Sequence, residues 1–334
     1  PFVAPMVASV VVGVGLERLT ERHDLPAREA FLMVSLTWLS LALVGAVPFV
    51  LAGQGTLAAP TNALFESMSG ITTTGATVIV DFDRHSRAVL MWRAVLQWLG
   101  GIGILVLATA VLSRLSVGGA QLMETETRTE NVTKLTPGIG DTARLLGLLY
   151  LGLTAAAAAI LFVMGASGLA PEMTLFDAIA HAFTAIATAG FSPRAESVGA
   201  FGPAVQWAMV PFMFVGAVNF VLLYHLLRGE SGRLRGSAEF RFYAGVTVLG
   251  SSLLVALLLL SPGPDVPDTL EATVRHGVFQ FVSILTTTGY ATVNFDLWPA
   301  SARHVLFAAM FVGGMAGSTT CSIKAVRWLV VLKS

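Results

Sequence analysis

The chain has 334 residues, of which 55% are hydrophobic and 12% are charged. A soluble domain is charged at roughly 25% of its positions, so this composition excludes an ordinary soluble protein and a disordered chain. The 20 Lys and Arg residues balance the 20 Asp and Glu residues, so no net positive field attracts nucleic acid. The single cysteine excludes an internal disulfide and a cysteine-rich metal site.

Long uncharged stretches divide the chain, and most reach the ~20 residues that a transmembrane helix needs. They are residues 1–16, 30–65, 94–113, 145–171, 197–227, 242–264 and 305–323. The first has no charged n-region and no small-residue cleavage site, so it is not read as a signal peptide. The pattern predicts an all-α polytopic membrane protein.

Three further uncharged runs are rich in Thr and Gly near their middle, namely residues 67–80, 178–193 and 276–295. Gly and β-branched Thr both disfavour a continuous helix. One interpretation is a weak or kinked span. The other is a re-entrant half-helix followed by an extended loop, which is tolerated at membrane depth where it is buried in protein or lines a wet cavity.

The distribution of basic residues favours re-entry. If the three runs return to the side they enter from, fourteen of the twenty Lys and Arg residues share one face, against eleven if the runs cross fully. Cytoplasmic loops carry an excess of Lys and Arg. We therefore expect the re-entrant loops on the outer side of the membrane and the basic loops in the cytoplasm.

The three runs are related to one another. Units that begin at Glu66, His181 and Gln280 each reach a glycine at their tenth position, and these glycines are 115 and 99 residues apart. Such a period is longer than that of solenoid repeats. It predicts pseudo-symmetric helix–pore-loop–helix repeats around a central ion pore.

The chemistry of these loops fits an ion filter. Glycine adopts positive φ without a Cβ clash, and a half-helix that ends within the membrane directs its negative dipole end there. Rings of backbone carbonyls replace the hydration shell of K⁺ in channels, whereas a divalent ion normally requires carboxylates. The uncharged candidate filter positions are Thr73, Thr74, Gly75, Ala76, Thr188, Ala189, Gly190, Phe191, Thr287, Thr288, Gly289 and Tyr290.

Motifs along nearly the whole chain carry a family resemblance. They are residues 69–77, 134–137, 184–192, 283–292, 296–299 and 313–319 with Lys324. The chain resembles the Trk/Ktr/HKT superfamily of potassium transporters, and within it the bacterial TrkH-like subunit. The resemblance implies four repeats around one pore, whereas this sequence contains three, so we expect a fragment that lacks the fourth pore segment.

The resemblance also implies the domain organisation. We expect the end of an N-terminal transmembrane helix and a cytoplasmic loop in residues 1–28, and a first repeat in 29–115. A cytoplasmic linker follows in 116–141, and a second repeat in 142–229. The third repeat, 230–334, would have an interrupted second helix.

In the family, an intramembrane loop within this interrupted helix acts as a gate below the filter. The expected gate residues are Gly313, Gly314, Gly317, Ser318, Thr319 and Lys324. Cys321 and Ser322 stand where the family usually has a glycine pair. This departure bears on how flexible the loop is.

The resemblance further implies a homodimer that works with a cytosolic TrkA-type nucleotide-binding regulatory subunit. K⁺ is the expected transported ion, with no covalently bound cofactor, and membrane lipid is the expected surrounding partner, with no nucleic acid. By its residues alone, the stretch 116–141 is either a solvated linker of mixed charge or a docking surface for a cytosolic regulator.

The predicted function is potassium uptake through a backbone-carbonyl filter with an intramembrane gate. One alternative is a secondary transporter for another solute, although that class is expected to have inverted repeats. Another is a non-conducting membrane subunit, because the fourth pore segment is missing. An enzyme is not expected, since the uncharged spans offer few acid, base or metal-ligand clusters.

Isolated polar residues have modest expected roles. Glu66 reads as a solvated carboxylate at the start of the first half-helix, and His181 as a packed or hydrogen-bonded residue of the second. Asn219 is expected to bond between helices from the middle of its span. Cys321 is expected to be a small buried residue.

Overall fold

The computed structural model describes residues 2–19, 27–112, 139–261, 266–267 and 269–334. Within these ranges the chain forms thirteen α-helices joined by turns and short 3₁₀ segments. The only β pairing in the same ranges is a single bridge between Val312 and Ile323. The expected all-helical architecture is confirmed.

The helices fall into three groups along the chain. The first contains α1 (Val3–Leu19), α2 (Ala27–Ala52), α3 (Pro60–Ile71) and α4 (Arg87–Leu112). The second contains α5 (Ile139–Ala166), α6 (Leu175–Ile186), α7 (Pro203–Gly216) and α8 (Phe220–Leu227). The third contains α9 (Ser231–Gly236), α10 (Ala238–Leu260), α11 (Leu270–Leu285), α12 (Ala300–Ala309) and α13 (Ala325–Lys333).

Among the described residues, four helices are long and apolar enough to cross a membrane, namely α2, α4, α5 and α10. The bent pair α7 and α8 makes a fifth if it is counted as one span. Large apolar side chains such as Leu36, Leu151 and Leu249 are exposed on these helices. Such surfaces are unfavourable in water and suit contact with lipid chains.

The uncharged run 197–227 does not form the single span that its composition predicts. It breaks after Gly216, and α7 and α8 meet at an angle of 107°. The Asn219 side chain caps α8 by accepting the N–H groups of Val221 (2.8 Å) and Leu222 (3.2 Å). Asn219 therefore lies at a break and not in mid-helix, because its amide competes with the helical hydrogen bonds.

Three short helices, α3, α6 and α11, match the predicted half-helices. Pro60 begins α3, and the hydroxyls of Thr174 and Thr269 cap the starts of α6 and α11. Proline favours a helix start because it has no N–H that would lack a partner there. A threonine hydroxyl favours it because it accepts an N–H of the first turn. Each short helix ends where the Thr- and Gly-containing loop begins, and each packs on the long helix before it.

The three groups pack side by side through their short helices. Helix α4 of the first group packs on α6 of the second, and α7 of the second packs on α11 of the third. Glycines allow this approach: a Cβ on Gly100 would overlap the carbonyl oxygen of Ile71. A Cβ on Gly216 would lie 2.8 Å from Cγ2 of Thr188. The ends of the short helices are thus held close to the long helices that follow them.

The predicted linker 116–141 is largely outside the described residues, and only 139–141 appear, as the start of α5. The proposed docking role of the linker, including Lys134, falls outside the described residues as well.

Candidate ion filter and gate loop

Three segments that follow the short helices share one backbone conformation. We call them filter segments 1, 2 and 3 (residues 73–76, 188–191 and 287–290). In each, a threonine and the glycine two residues later have positive φ. The angles are 56° at Thr73, 79° at Gly75, 49° at Thr188, 77° at Gly190, 55° at Thr287 and 83° at Gly289.

Each filter segment is tied to the end of its own short helix. The Ser69 carbonyl accepts the N–H groups of Thr74 (2.9 Å) and Gly75 (3.4 Å). The carbonyls of Thr184 and Ser283 accept the corresponding pairs in segments 2 and 3, at 2.9 to 3.4 Å. Because the partners are only five or six residues apart, the conformation is determined locally in all three repeats.

The left-handed threonines were not predicted from the sequence, which identified only the glycines. A β-branched residue at positive φ is a rare and strained conformation that costs about 1–3 kcal/mol. Residues of alternating handedness turn successive carbonyl groups toward one side, as a carbonyl-lined filter requires. The segments thus have the backbone geometry that suits their predicted use.

The filter segments contact one another in chain order. A Cβ on Gly75 would overlap the carbonyl oxygen of Ala189, and a Cβ on Gly190 would overlap that of Thr288. A Cβ on Gly289 would meet no atom within 4 Å. The glycine of segment 1 therefore faces segment 2, the glycine of segment 2 faces segment 3, and the glycine of segment 3 faces open space.

The first residue of each repeat unit is buried and holds the chain beyond its filter segment. Glu66, His181 and Gln280 are each at most 1% exposed. Glu66 accepts hydrogen bonds from the Thr77 hydroxyl (2.8 Å) and the Val78 N–H (3.0 Å). His181 Nε2 lies 3.1 Å from the Ser192 hydroxyl, which confirms its hydrogen-bonded role. Gln280 Nε2 donates to the Val293 carbonyl at 3.4 Å.

The prediction that Glu66 is solvated is wrong, because α4 supplies a buried partner. Arg93 is 1% exposed, and its Nε donates to Glu66 at 2.6 Å. Its terminal nitrogens donate to the Thr77 hydroxyl and the Ser192 carbonyl, each at 3.1 Å. Arg93 thus joins the chain that follows filter segment 1 to the chain that follows filter segment 2, inside the protein.

The aromatic residues after the filter glycines pack into the preceding repeat. The Phe191 ring lies 4.0 Å from the Arg93 guanidinium carbon. The Tyr290 hydroxyl donates to the His181 carbonyl at 3.2 Å and forms a short hydrogen bond with the Thr184 hydroxyl. Both side chains are at most 3% exposed, so they fix the spacing of neighbouring repeats.

Gln97 on α4 also holds filter segment 2 and was missed in the sequence. Its side-chain N–H donates to the Ala189 carbonyl at 2.7 Å, and its side-chain oxygen accepts the Phe191 N–H at 2.9 Å. Gln97 is fully buried. In segments 1 and 3, by contrast, the residue that corresponds to Ala189 is a threonine. Its hydroxyl pairs with that of another threonine, as Thr288 does with Thr286 (2.7 Å).

Charged residues near the starts of α6 and α11 form ion pairs. Arg194 donates to Asp177 at 3.0 and 2.6 Å, and this hydrogen bond raises the pKa of the Arg194 guanidinium. Arg275 donates to Glu271 at 2.8 Å, which lowers the pKa of the Glu271 carboxyl. Both carboxylates stay ionised near neutral pH, so the ion pairs persist there.

A loop of residues 310–324 interrupts the last predicted span between α12 and α13, and we call it the gate loop. Its two ends pair with each other, because the Gly313 N–H donates to the Ile323 carbonyl at 2.9 Å. Its other partners belong to the break between α7 and α8. The Met315 N–H donates to the Ala217 carbonyl (2.9 Å), and Asn219 donates to the Ala316 carbonyl (2.6 Å).

The gate loop also touches the filter segments. The Thr319 hydroxyl lies 3.0 Å from the Thr188 hydroxyl, and the Cys321 N–H donates to the Thr287 hydroxyl at 3.0 Å. Cys321 is exposed, so the expectation of a buried cysteine is wrong. The backbone N–H of Cys321 is bonded to filter segment 3, while its side chain lies outside the packed core.

The remaining predicted gate residues shape the same loop. Gly314 packs against Ala217, since a Cβ there would come within 2.7 Å of the Ala217 carbonyl oxygen. Gly317 has φ of 73°, and its carbonyl accepts the Phe220 N–H at 3.1 Å. Lys324 donates to the hydroxyls of Thr320 (3.0 Å) and Ser318 (3.5 Å) and to the Thr320 carbonyl. All these contacts hold the gate loop against the break between α7 and α8 and next to the filter segments.

Comparisons with known proteins agree with this geometry. The TrkH family, described as a cation transport protein, matches residues 2–334. The Trk system potassium uptake protein TrkH of Salmonella typhimurium is 39% identical over 94% of this chain and 63% of its own length. The protein of the same name from Halomonas elongata is 40% identical over 97% of this chain and 66% of its own length.

A solved structure, the potassium transporter TrkH from Vibrio parahaemolyticus, matches 99% of this chain with a TM-score of 0.85 and 35% identity. The match covers 67% of that chain. The chain therefore spans about two thirds of the length of these relatives. With its apolar helices, it is a multi-pass inner-membrane protein. By its family match and these relatives, the chain belongs to the TrkH family of cation transport proteins.

Proposed function

We propose that the protein to which this chain belongs carries K⁺ into the cell through a pore lined by the filter segments. The relatives bear the name potassium uptake protein, and this chain covers 63% to 66% of their length. K⁺ is the transported ion in this proposal. The candidate filter positions are those named above, from Thr73 to Tyr290, acting through their backbone carbonyl groups.

One observation carries the proposal: three uncharged segments have the same alternating backbone, and each glycine faces the carbonyl of the next segment where a next segment exists. Neutral carbonyl oxygens suit a weakly hydrated monovalent cation, because they replace its hydration shell without a strong charge that would trap it. The C-terminal ends of α3, α6 and α11 add negative dipole ends at the same place.

The proposal divides the chain into three repeats with the boundaries predicted from the sequence, 29–115, 142–229 and 230–334. It includes a fourth filter segment that faces Gly289. The open space at Gly289 supports such a segment, and so does the greater length of the relatives. The gate loop would then close the pore from below, through the contacts of Thr319 and Cys321 with the filter threonines.

The relatives are named as members of a Trk system, which implies more than one component. The proposal therefore includes a cytosolic TrkA-type nucleotide-binding regulatory subunit and a homodimer of the transporting subunit. The regulator would act from the side that carries the basic residues.

The test is uptake of ⁸⁶Rb⁺ by the full-length protein in cells that lack their own K⁺ uptake systems. We expect uptake that K⁺ inhibits more strongly than Na⁺ does, and a loss of this preference in the Gly190→Ser variant. Gly229→Ser is the matched control, because Gly229 also has a positive φ (83°, against 77° at Gly190) but lies between α8 and α9, where a Cβ meets no atom within 4 Å. Expressed full-length protein without Rb⁺ uptake, or an equal ion preference in both variants, would contradict the proposal.

A further inference from the structure

Glu239 joins the start of α10 to the middle of the gate loop and to the first turn of α13. Its Oε1 atom accepts the N–H of Ala316 at 2.7 Å, on the entering side of the loop. The same oxygen accepts the N–H of Val326 at 3.2 Å, in the first turn of α13 beyond the loop. A single carboxylate oxygen of Glu239 thus bonds to two segments of the chain, one within the gate loop and one just after it.

The start of α10 does not need this carboxylate for its own capping. The Ser237 hydroxyl already accepts the Phe240 N–H at 3.3 Å, as a helix N-cap does. A glutamate in the first turn normally favours the N–H groups of its own helix. Glu239 instead serves two N–H groups on other segments, and it is partly buried where it does so.

The segments that Glu239 joins are also bonded to each other. Lys324, on the same loop, donates through its ammonium to oxygens of Thr320 and Ser318. The two ends of the loop also pair with each other, since the Ala325 N–H donates to the Gly314 carbonyl at 3.1 Å. Glu239 therefore ties the start of α10 to a junction between the gate loop and α13.

We propose that Glu239 is a positioning residue that holds the gate loop against the filter, and that separation of its carboxylate from the Ala316 and Val326 N–H groups frees the loop. The inference rests on the proposed function for its effect on ion flow. It rests on the geometry alone for its effect on the loop. Helix α9, which contains Arg233 and Arg235, ends at Gly236, and α10 begins at Ala238.

The test uses the full-length protein in liposomes, with ⁸⁶Rb⁺ flux and the rate of Cys321 modification by a water-soluble thiol reagent as readouts. Glu239→Ala removes the acceptor, and Glu239→Gln keeps an acceptor oxygen but removes its charge. Glu230→Ala is the matched control, because Glu230 lies just before α9 and forms its ion pair with Arg233 of that helix. Cys321→Ser identifies the labelling that belongs to this cysteine.

We expect Glu239→Ala to raise Rb⁺ flux roughly tenfold, as the loss of a charged hydrogen bond implies, with an unchanged preference for Rb⁺ over Na⁺. Glu239→Gln should give a smaller rise and keeps the test valid if the alanine variant does not fold. Cys321 modification should accelerate in the same order, and Glu230→Ala should match the wild type. An unchanged preference distinguishes a freed loop from a damaged fold.

A folded Glu239 variant with wild-type flux and wild-type labelling would overturn the inference, as would a fall in flux with unchanged labelling. The absence of Rb⁺ flux in the wild-type protein, together with faster Cys321 labelling in Glu239→Ala, would contradict the proposed function. It would still support the role of Glu239 in holding the gate loop. The two failures are therefore distinguishable.

Discussion

The filter segments and the gate loop are both non-helical stretches of chain, but they are stabilised in different ways. Each filter segment donates its N–H groups to its own short helix, as Thr74 and Gly75 do to Ser69. The gate loop depends on partners far away in sequence, such as the Thr319 hydroxyl that donates to the Ile186 carbonyl at 3.1 Å. The conformation of a filter segment is therefore set mainly by adjacent residues, whereas that of the gate loop depends on how distant segments pack.

The largest expected effect concerns the buried ion pair that supports the first filter segment. Arg93→Met leaves the Glu66 carboxylate buried without its cation, so we expect a loss of about 3–5 kcal/mol in the free energy of unfolding. The control is Arg84→Met, whose ion pair with Asp81 is exposed and should be worth about 0–1 kcal/mol. Thermal or denaturant unfolding of the purified protein measures both, and similar losses would show that the support is not specific.

The second prediction compares two glycines with the same backbone requirement. Serine at either Gly190 or Gly229 is strained by about 1–2 kcal/mol because φ is positive at both. Only at Gly190 does a Cβ overlap a neighbouring carbonyl, that of Thr288, which adds about 1–3 kcal/mol of overpacking. We expect Gly190→Ser to be the less stable of the two in denaturant unfolding. Equal stability would contradict the close contact between filter segments.

The third prediction concerns the side chain that holds segment 2 from outside. Gln97→Leu leaves the Ala189 carbonyl and the Phe191 N–H without their buried partner, at a cost of about 1–3 kcal/mol. Stability should fall, and discrimination between K⁺ and Na⁺ should weaken in ⁸⁶Rb⁺ uptake. Gln54→Leu is the control, since Gln54 accepts one N–H at an exposed site, that of Ser86. A stable Gln97→Leu protein with normal discrimination would argue against this support.

The smallest expected effect lies where the two regions meet. A double-mutant cycle of Thr188→Val and Thr319→Val should give a coupling of about 0.5–1.5 kcal/mol, the value of one hydrogen bond. Pairing Thr188→Val with Ser322→Ala should give none, because Ser322 donates to Met310 instead. Coupling of the same size in both cycles would mean that the contact between filter and gate loop is not specific.

Much of the fold follows from local sequence signals. The Thr- and Gly-rich runs predicted half-helices that end near Gly75, Gly190 and Gly289, and the helices do end there. This succeeded because the cause is local: glycine and threonine weaken a helix, and the helix end supplies acceptors for the loop. The positive φ of Thr73 and its counterparts was missed, since threonine ordinarily avoids that region.

The side chains that hold the filter segments in place could not be identified from local sequence signals. Glu66 and Arg93 are 27 positions apart on different helices, so their pairing depends on how α3 and α4 pack. Taken singly, each looks like a surface charge. The break at Asn219 was also missed, because an uncharged run carries no signal that distinguishes a straight span from a bent one.

The gate role expected of this loop came from the family resemblance alone, and the exposure of Cys321 could not be predicted from composition. A small apolar residue within an uncharged run is most often buried. In this loop the backbone of Cys321 bonds to Thr287, which leaves the side chain outside the packed core.

The most direct test of the account is the anomalous scattering of Rb⁺ or Tl⁺ in crystals of the full-length protein. The account predicts an anomalous peak enclosed by backbone carbonyl oxygens of filter segments 1, 2 and 3, and its loss when K⁺ replaces the heavier ion. Strong peaks elsewhere in the protein, with none among these carbonyls, would contradict the central claim that the filter segments bind the transported ion.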